Sequence, residues 1–133
     1  MFGKKSQPPI KSLIAQGTRI EGNMKFSEGL RVDGEVYGDV HAGPEDGSLL
    51  VISEAAVVQG GLVADHVIIN GTVRGPVHAR ELLELQPKAK IEGDVTYVAL
   101  EMHQGAMITG QLRPLAAGAE DEKPLLKLAA KNA

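Results

Sequence analysis

Ala56–Leu62 reads AVVQGGL, and its frame, Ala-x-h-x-Gly-x-h with h aliphatic, returns as AKIEGDV at Ala89–Val95 and as AMITGQL at Ala106–Leu112. The three alanines are spaced 33 and 17 residues apart. A threonine-led copy, TRIEGNM, occupies Thr18–Met24, and shortened copies, VYGDV and VRGPV, occupy Val36–Val40 and Val73–Val77. The agreement extends upstream. Leu50 and Ile52 match Leu83 and Leu85 at the offset of 33, and the pair comes back as Leu100 and Met102. Six related segments therefore fill about a hundred residues, with long units alternating with short ones. Self-similarity at this period marks a repeat architecture, in which no unit can bury its apolar face alone.

Within each unit apolar residues alternate, as in Ile20/Met24/Phe26 and Ile91/Val95, which is the periodicity of a strand. No helical i, i+3, i+4 pattern fits these cores. A glycine recurs at the same place in every unit, where the chain must turn without a Cβ. Strand-and-corner coils of this kind stack into an all-β, single-domain parallel β-helix, with coils at approximately 14–27, 28–42, 48–64, 65–79, 80–97 and 98–114. At about 4.8 Å per paired strand, six coils make a rod of about 29 Å. Gly43–Gly47, GPEDG, has no counterpart in the next repeat and reads as a surface loop between the second and third coils. The domain so defined spans 14–115. Residues 1–13 and 116–133 lack the period and read as flexible segments, the second with a short helical stretch, LLKLAAK, after Pro124.

Composition narrows the function. A net charge of -3, with no cationic cluster in the repeats, argues against nucleic acid as a partner. The absence of cysteine removes disulfides and thiolate chemistry, and an aromatic content of 3% leaves a core of Val, Ile, Leu, Met and Ala. There is no secretory signal and no apolar run long enough to span a membrane. No nucleotide fingerprint, GxSxG or HExxH is present, so no catalytic residue, cofactor or metal is expected. His41, His66, His78 and His103 are the nearest candidates. His41 and His78 fall two coils apart, roughly 10 Å along the axis, too far to share a metal.

The ends of the solenoid carry the functional signal. An open terminal coil presents unpaired backbone groups and a cut-off apolar core, a template for another chain, and no capping segment is visible. Leu13, Ile14 and Ile20 stand at the N-terminal face, and Met107, Ile108, Leu112 and Leu115 at the C-terminal face. End-to-end assembly is the expectation.

The run SLIAQGTRIEGNMKFSEGLRVDGEVYGDV, the coil glycines after it and the Met-Phe-x-Lys-Lys start resemble the bactofilins, bacterial polymer-forming cytoskeletal proteins. The resemblance implies a right-handed, three-sided β-helix. It also implies nucleotide-independent, non-polar filaments built by like-to-like end contacts. It further implies a place at the inner face of the cytoplasmic membrane, reached through a short N-terminal segment matched here by Met1, Phe2, Lys4 and Lys5. Family members act as scaffolds for cell-wall synthesis or morphogenesis factors. They often carry an aromatic in the last coil, whereas no aromatic follows Tyr97 here. Two other solenoid classes are weaker fits. Left-handed β-helix acyltransferases keep a strict six-residue period that these glycine spacings break, and carbohydrate-binding or adhesin solenoids would show a secretion signal and exposed aromatic platforms.

Overall fold

A short corner turn, repeated, builds this molecule. In the computed structural model, which describes residues 9–44 and 47–115, short strands alternate with corners that redirect the chain. The first coil holds β1 (Ile10–Ile14), β2 (Arg19–Glu21) and β3 (Met24–Phe26), and the second holds β4 (Gly29–Val32), β5 (Glu35–Tyr37) and β6 (Val40–Ala42). The third holds β7 (Leu49–Ile52), β8 (Val57–Gln59) and the first half of β9 (Leu62–Ile69). The second half of β9 opens the fourth coil, which continues through β10 (Thr72–Arg74) into β11 (Val77–Leu85). The second half of β11 opens the fifth, completed by β12 (Lys90–Glu92) and β13 (Val95–Tyr97), and the sixth holds β14 (Ala99–Met102), β15 (Met107–Thr109) and β16 (Leu112–Pro114). There is no helix among the described residues.

All the pairings are parallel, and they sort the strands into three faces of a prism six strands tall. Face A stacks β1, β4, β7, β9, β11 and β14. Face B stacks β2, β5, β8, β10, β12 and β15. Face C stacks β3, β6, β9, β11, β13 and β16. The chain is thus an all-β parallel solenoid of six turns, as its period predicts.

Because side chains alternate along a strand, each face turns fixed columns inward. On face A one column runs Ile14, Val32, Ile52, Ile69, Leu85, Met102. On face B a single column runs Ile20, Val36, Val58, Val73, Ile91, Ile108. On face C, Met24, Val40, Leu62, Val77, Val95 and Leu112 line up. In coils two to five these residues are all buried. Each such side chain contributes about 1.5–3 kcal/mol through burial, and together they form one continuous core.

Two kinds of corner explain the recurring glycines and the alternation of long and short coils. After face B stand Gly22, Gly38, Gly60, Gly75, Gly93 and Gly110, with φ between 132° and 155°. A Cβ at Gly38, Gly60, Gly75, Gly93 or Gly110 would collide with the carbonyl of the glycine one coil earlier. Between faces A and B the long coils spend two more residues than the short ones, and the short coils turn on Gly34 and Gly71. A Cβ at Gly34 would sit 2.5 Å from the carbonyl oxygens of Ala15 and Thr18 of the long coil beneath. Short coils nest inside long ones, and only glycine fits that nest.

The first strand begins at Ile10, inside the stretch that the loss of period assigns to a flexible N-terminal segment. Pairing with β4 supplies the order that its own mixed sequence does not advertise. Lys11 reaches Glu28 at 2.8 Å. The tail assignment over 116–133, LLKLAAK included, and the greater part of the N-terminal segment lie outside the described residues.

Candidate functional site

Each terminal coil contributes three strands with a neighbour on one side only: β1, β2 and β3 at one end, and β14, β15 and β16 at the other. Their outer backbone groups and the cut ends of the inward columns face away from the prism along its axis.

At the N-terminal end Ile14 is 6% exposed, while Ile20, Met24 and Phe26 are half-buried against the second coil. Gly22 belongs to the same end: the space a Cβ would fill there is open, whereas every later glycine of its column is blocked by the coil before it. Leu13, which the sequence groups with Ile14 and Ile20, pairs in register with the outward-facing Arg31. Its side chain therefore lies on the side of the prism, 57% exposed.

The C-terminal end is more open. Ile108 and Leu100 are half-buried, but Met102 and Leu112 are 46% and 43% exposed, although their counterparts Leu85 and Val95 one coil below are fully buried. Met107 pairs with Lys90 in an outward column and so belongs to face B rather than to the end. Leu115 follows β16 at the edge between faces C and A, its N–H donating to the Tyr97 carbonyl at 2.5 Å. Tyr97 itself is half-buried in the fifth coil, and burial pushes its phenol above the ordinary tyrosine value. Met24, Phe26, Leu100 and Met102 are end-face residues that end-of-chain reasoning missed; strand alternation counted from the matching column positions of neighbouring repeats would have found them. The proposed membrane-targeting residues, Met1, Phe2, Lys4 and Lys5, lie outside the described residues.

Among the described residues the edge between faces C and A varies most from coil to coil. Residues 9 and 115 both lie on it, and so do Gly43 and Gly47, which flank the insertion. Asp65, 4% exposed, holds the loop: it accepts from the N–H groups of Gly47 at 2.5 Å and Ser48 at 3.2 Å, and from Arg80 Nε at 2.7 Å. Arg80 Nη2 donates to the Gly43 carbonyl at 2.7 Å, and Ser48 Oγ accepts from the Asp65 N–H at 2.9 Å. A partly buried, hydrogen-bonded ion pair of this kind fixes geometry more than it adds stability. Asp65 after Ala64 and Arg80 after Ala79 hold matching places in successive repeats, a signal that was legible and unread.

The histidines point outward. His41 and His78 share the face C column with Lys25 and Val63, two coils apart, and His78 Nδ1 lies 2.5 Å from Thr96 Oγ1. Burial pushes the His66 imidazole below its ordinary value, against the pull of Glu84, Glu81 and Glu101. His103 stands beside carboxylates that comparison among histidines alone overlooks: donor atoms of Glu84, Glu101 and His103 lie within 4.8 Å of one another, with Glu101 and His103 exposed. Exposed charges this close are common on solvated ladders, and they assign no chemistry by themselves. Among the described residues no helix is long and apolar enough to cross a membrane.

The family model described as "Bactofilin: Polymer-forming cytoskeletal" matches residues 12–113. Comparison with curated proteins and with solved structures gives no match.

Proposed function

The chain belongs to the bactofilin family of polymer-forming cytoskeletal proteins, and from that premise we propose that it polymerises by stacking its open solenoid ends into nucleotide-independent, non-polar filaments. The family is a structural one, and a cytoskeletal scaffold role follows for this chain. The observation that carries the end-stacking reading is the pair of terminal coils that no strand among the described residues covers. In both, strands lie unpaired on one side, and at the C-terminal face Met102 and Leu112 remain exposed in columns that are buried through coils two to five. Stacking a second copy there extends three sheets at once and covers the apolar columns, so hydrogen bonding and burial favour the same contact.

The filament lies at the inner face of the cytoplasmic membrane in this reading, held by Met1 and Phe2 in the acyl boundary and by Lys4 and Lys5 on anionic headgroups. Each lysine is worth about 1 kcal/mol at such a surface, too little for one copy but sufficient when many are linked in a polymer. There the scaffold localises proteins of cell-wall synthesis or morphogenesis.

Electron microscopy of the purified protein without nucleotide tests the core of the proposal: filaments are expected, and a monodisperse monomer at every concentration would refute it. Removing residues 1–9 should leave filaments that no longer sediment with anionic vesicles. Undiminished sedimentation would move the anchor elsewhere.

A further inference from the structure

We infer that the thioether of Met102 is a modification site whose oxidation to the sulfoxide uncouples the C-terminal end contact, an inference that rests on the end-stacking reading above. The methionines of the described residues, Met24, Met102 and Met107, all lie in the first and last coils. Through coils two to five the inward columns of the three faces are aliphatic apart from Tyr97. Met102 takes the place that Val32, Ile52, Ile69 and Leu85 hold in earlier coils. Those four are fully buried and Met102 is 46% exposed, because among the described residues no further coil lies on it. Met102 is therefore open to solvent in a free subunit and enclosed when another copy stacks on the end.

The same coil contains its own control. Met107 is 58% exposed, but it stands in the outward column of face B beside Lys90, so stacking along the axis leaves it on the side of the filament. One thioether faces the contact and the other does not.

The chemistry needs a hydroperoxide such as hydrogen peroxide. A sulfur lone pair attacks one peroxide oxygen, the S–O bond forms as the O–O bond breaks, and the departing hydroxide takes up the proton and leaves as water. Sulfur loses two electrons and the peroxide gains them. The product replaces a flexible apolar group with a strongly dipolar acceptor, and against Leu85 and a second apolar face that acceptor has no donor. A buried acceptor without a partner opposes the contact. Oxidation thus acts on free ends and withdraws subunits from assembly, while stacked ends are shielded, and reduction of the sulfoxide restores the subunit.

The test uses the full chain, diluted below the concentration at which it pellets or assembled above it, treated with hydrogen peroxide and mapped by peptide mass. Met107 should react in both states, while Met102 should react in dispersed subunits and at least about tenfold more slowly in filaments. In a Met24→Leu background, which removes the other end-face thioether, dispersed protein oxidised at Met102 should need about tenfold more subunit to pellet than before treatment, whereas the same protein carrying Met102→Leu, strand-rich by circular dichroism, should pellet at one and the same concentration before and after peroxide. Equal pelleting by Met102-oxidised and untreated protein overturns the inference, as does a Met102→Leu variant that loses assembly to peroxide as its Met24→Leu parent does. Untreated protein that never forms filaments would overturn the end-stacking reading first and this inference with it.

Discussion

Val58 in the third coil and Ile108 in the sixth occupy the same column of face B, in repeats that read almost alike, AVVQGGL and AMITGQL. Val58 is fully buried, while Ile108 is only partly so. Nothing in the local sequence separates them; the difference is that Val58 has a coil on both sides and Ile108 on one. In a solenoid, core and open end are the same kind of residue at different heights. The contrast between middle and end can be tested by making matched changes at both.

The largest effect is expected from Val58→Arg. Its guanidinium would be enclosed above and below by aliphatic columns, at several kcal/mol for an unpaired charge, against the ~5–15 kcal/mol that holds a typical domain together. Circular dichroism should show loss of the strand signal. A folded Val58→Arg protein would mean that the middle coils are as open as the last.

The glycine column offers a second matched pair. Gly60→Ala drives a Cβ into the Gly38 carbonyl at a backbone φ of 154°, and about 3 kcal/mol of destabilisation is expected from strain and crowding. Gly22→Ala meets open space at φ 132° and should cost about 1 kcal/mol in the free subunit. Urea midpoints measure both. If the N-terminal face is a polymer contact, Gly22→Ala should nonetheless raise the concentration needed for sedimentation.

Asp65→Ala tests whether the decorated edge belongs to the stable middle. It leaves Arg80 and two loop N–H groups without their acceptor, and about 2 kcal/mol is expected, reduced from the full cost of a broken buried pair because Arg80 is partly solvated. Thermal melting should register it, with faster cleavage near residues 43–47. An unchanged melting curve would show that the loop is held by other means.

The smallest change in folding, under about 1 kcal/mol, is expected for Ile108→Arg and Leu112→Arg, because at the open end the long side chain reaches water. Assembly should fail even so, since a neighbouring subunit would have to bury the charge. Strand-rich protein that stays in the supernatant is the expected result. Filaments from both variants would leave only the N-terminal face or the sides as contacts.

How much was legible follows the same division. The corner after face B repeats its glycine in every coil because backbone meets backbone there, and only one residue type is tolerated; coil number and the buried columns could be counted from it. The third edge has no such constraint. Its positions hold Glu28, Ser48, Asp65, Arg80 and Val98, and so the Asp65–Arg80 clamp is marked in the sequence only by the matching places after Ala64 and Ala79. Leu13 and Met107 were grouped with the ends on apolarity alone. Their direction is set by register, Leu13 with Arg31 and Met107 with Lys90, and a pairing partner is a property of the stack. β1 was overlooked for a related reason: beside Pro8 and Pro9, IKSLI lacks a pattern of its own and becomes a strand only against β4.

That both described chain ends and the one insertion share a single edge has a practical corollary. In a stack of such prisms the appendages trace a line whose path is dictated by the rotation from one subunit to the next. Subunits in rotational register would give the filament a straight keel, and a net offset over the two alternating end contacts would wind that keel into a helix. A label attached beyond residue 115 would then act as a protractor, since its azimuth in successive subunits along an imaged filament reads out the angle at which one end sits on another.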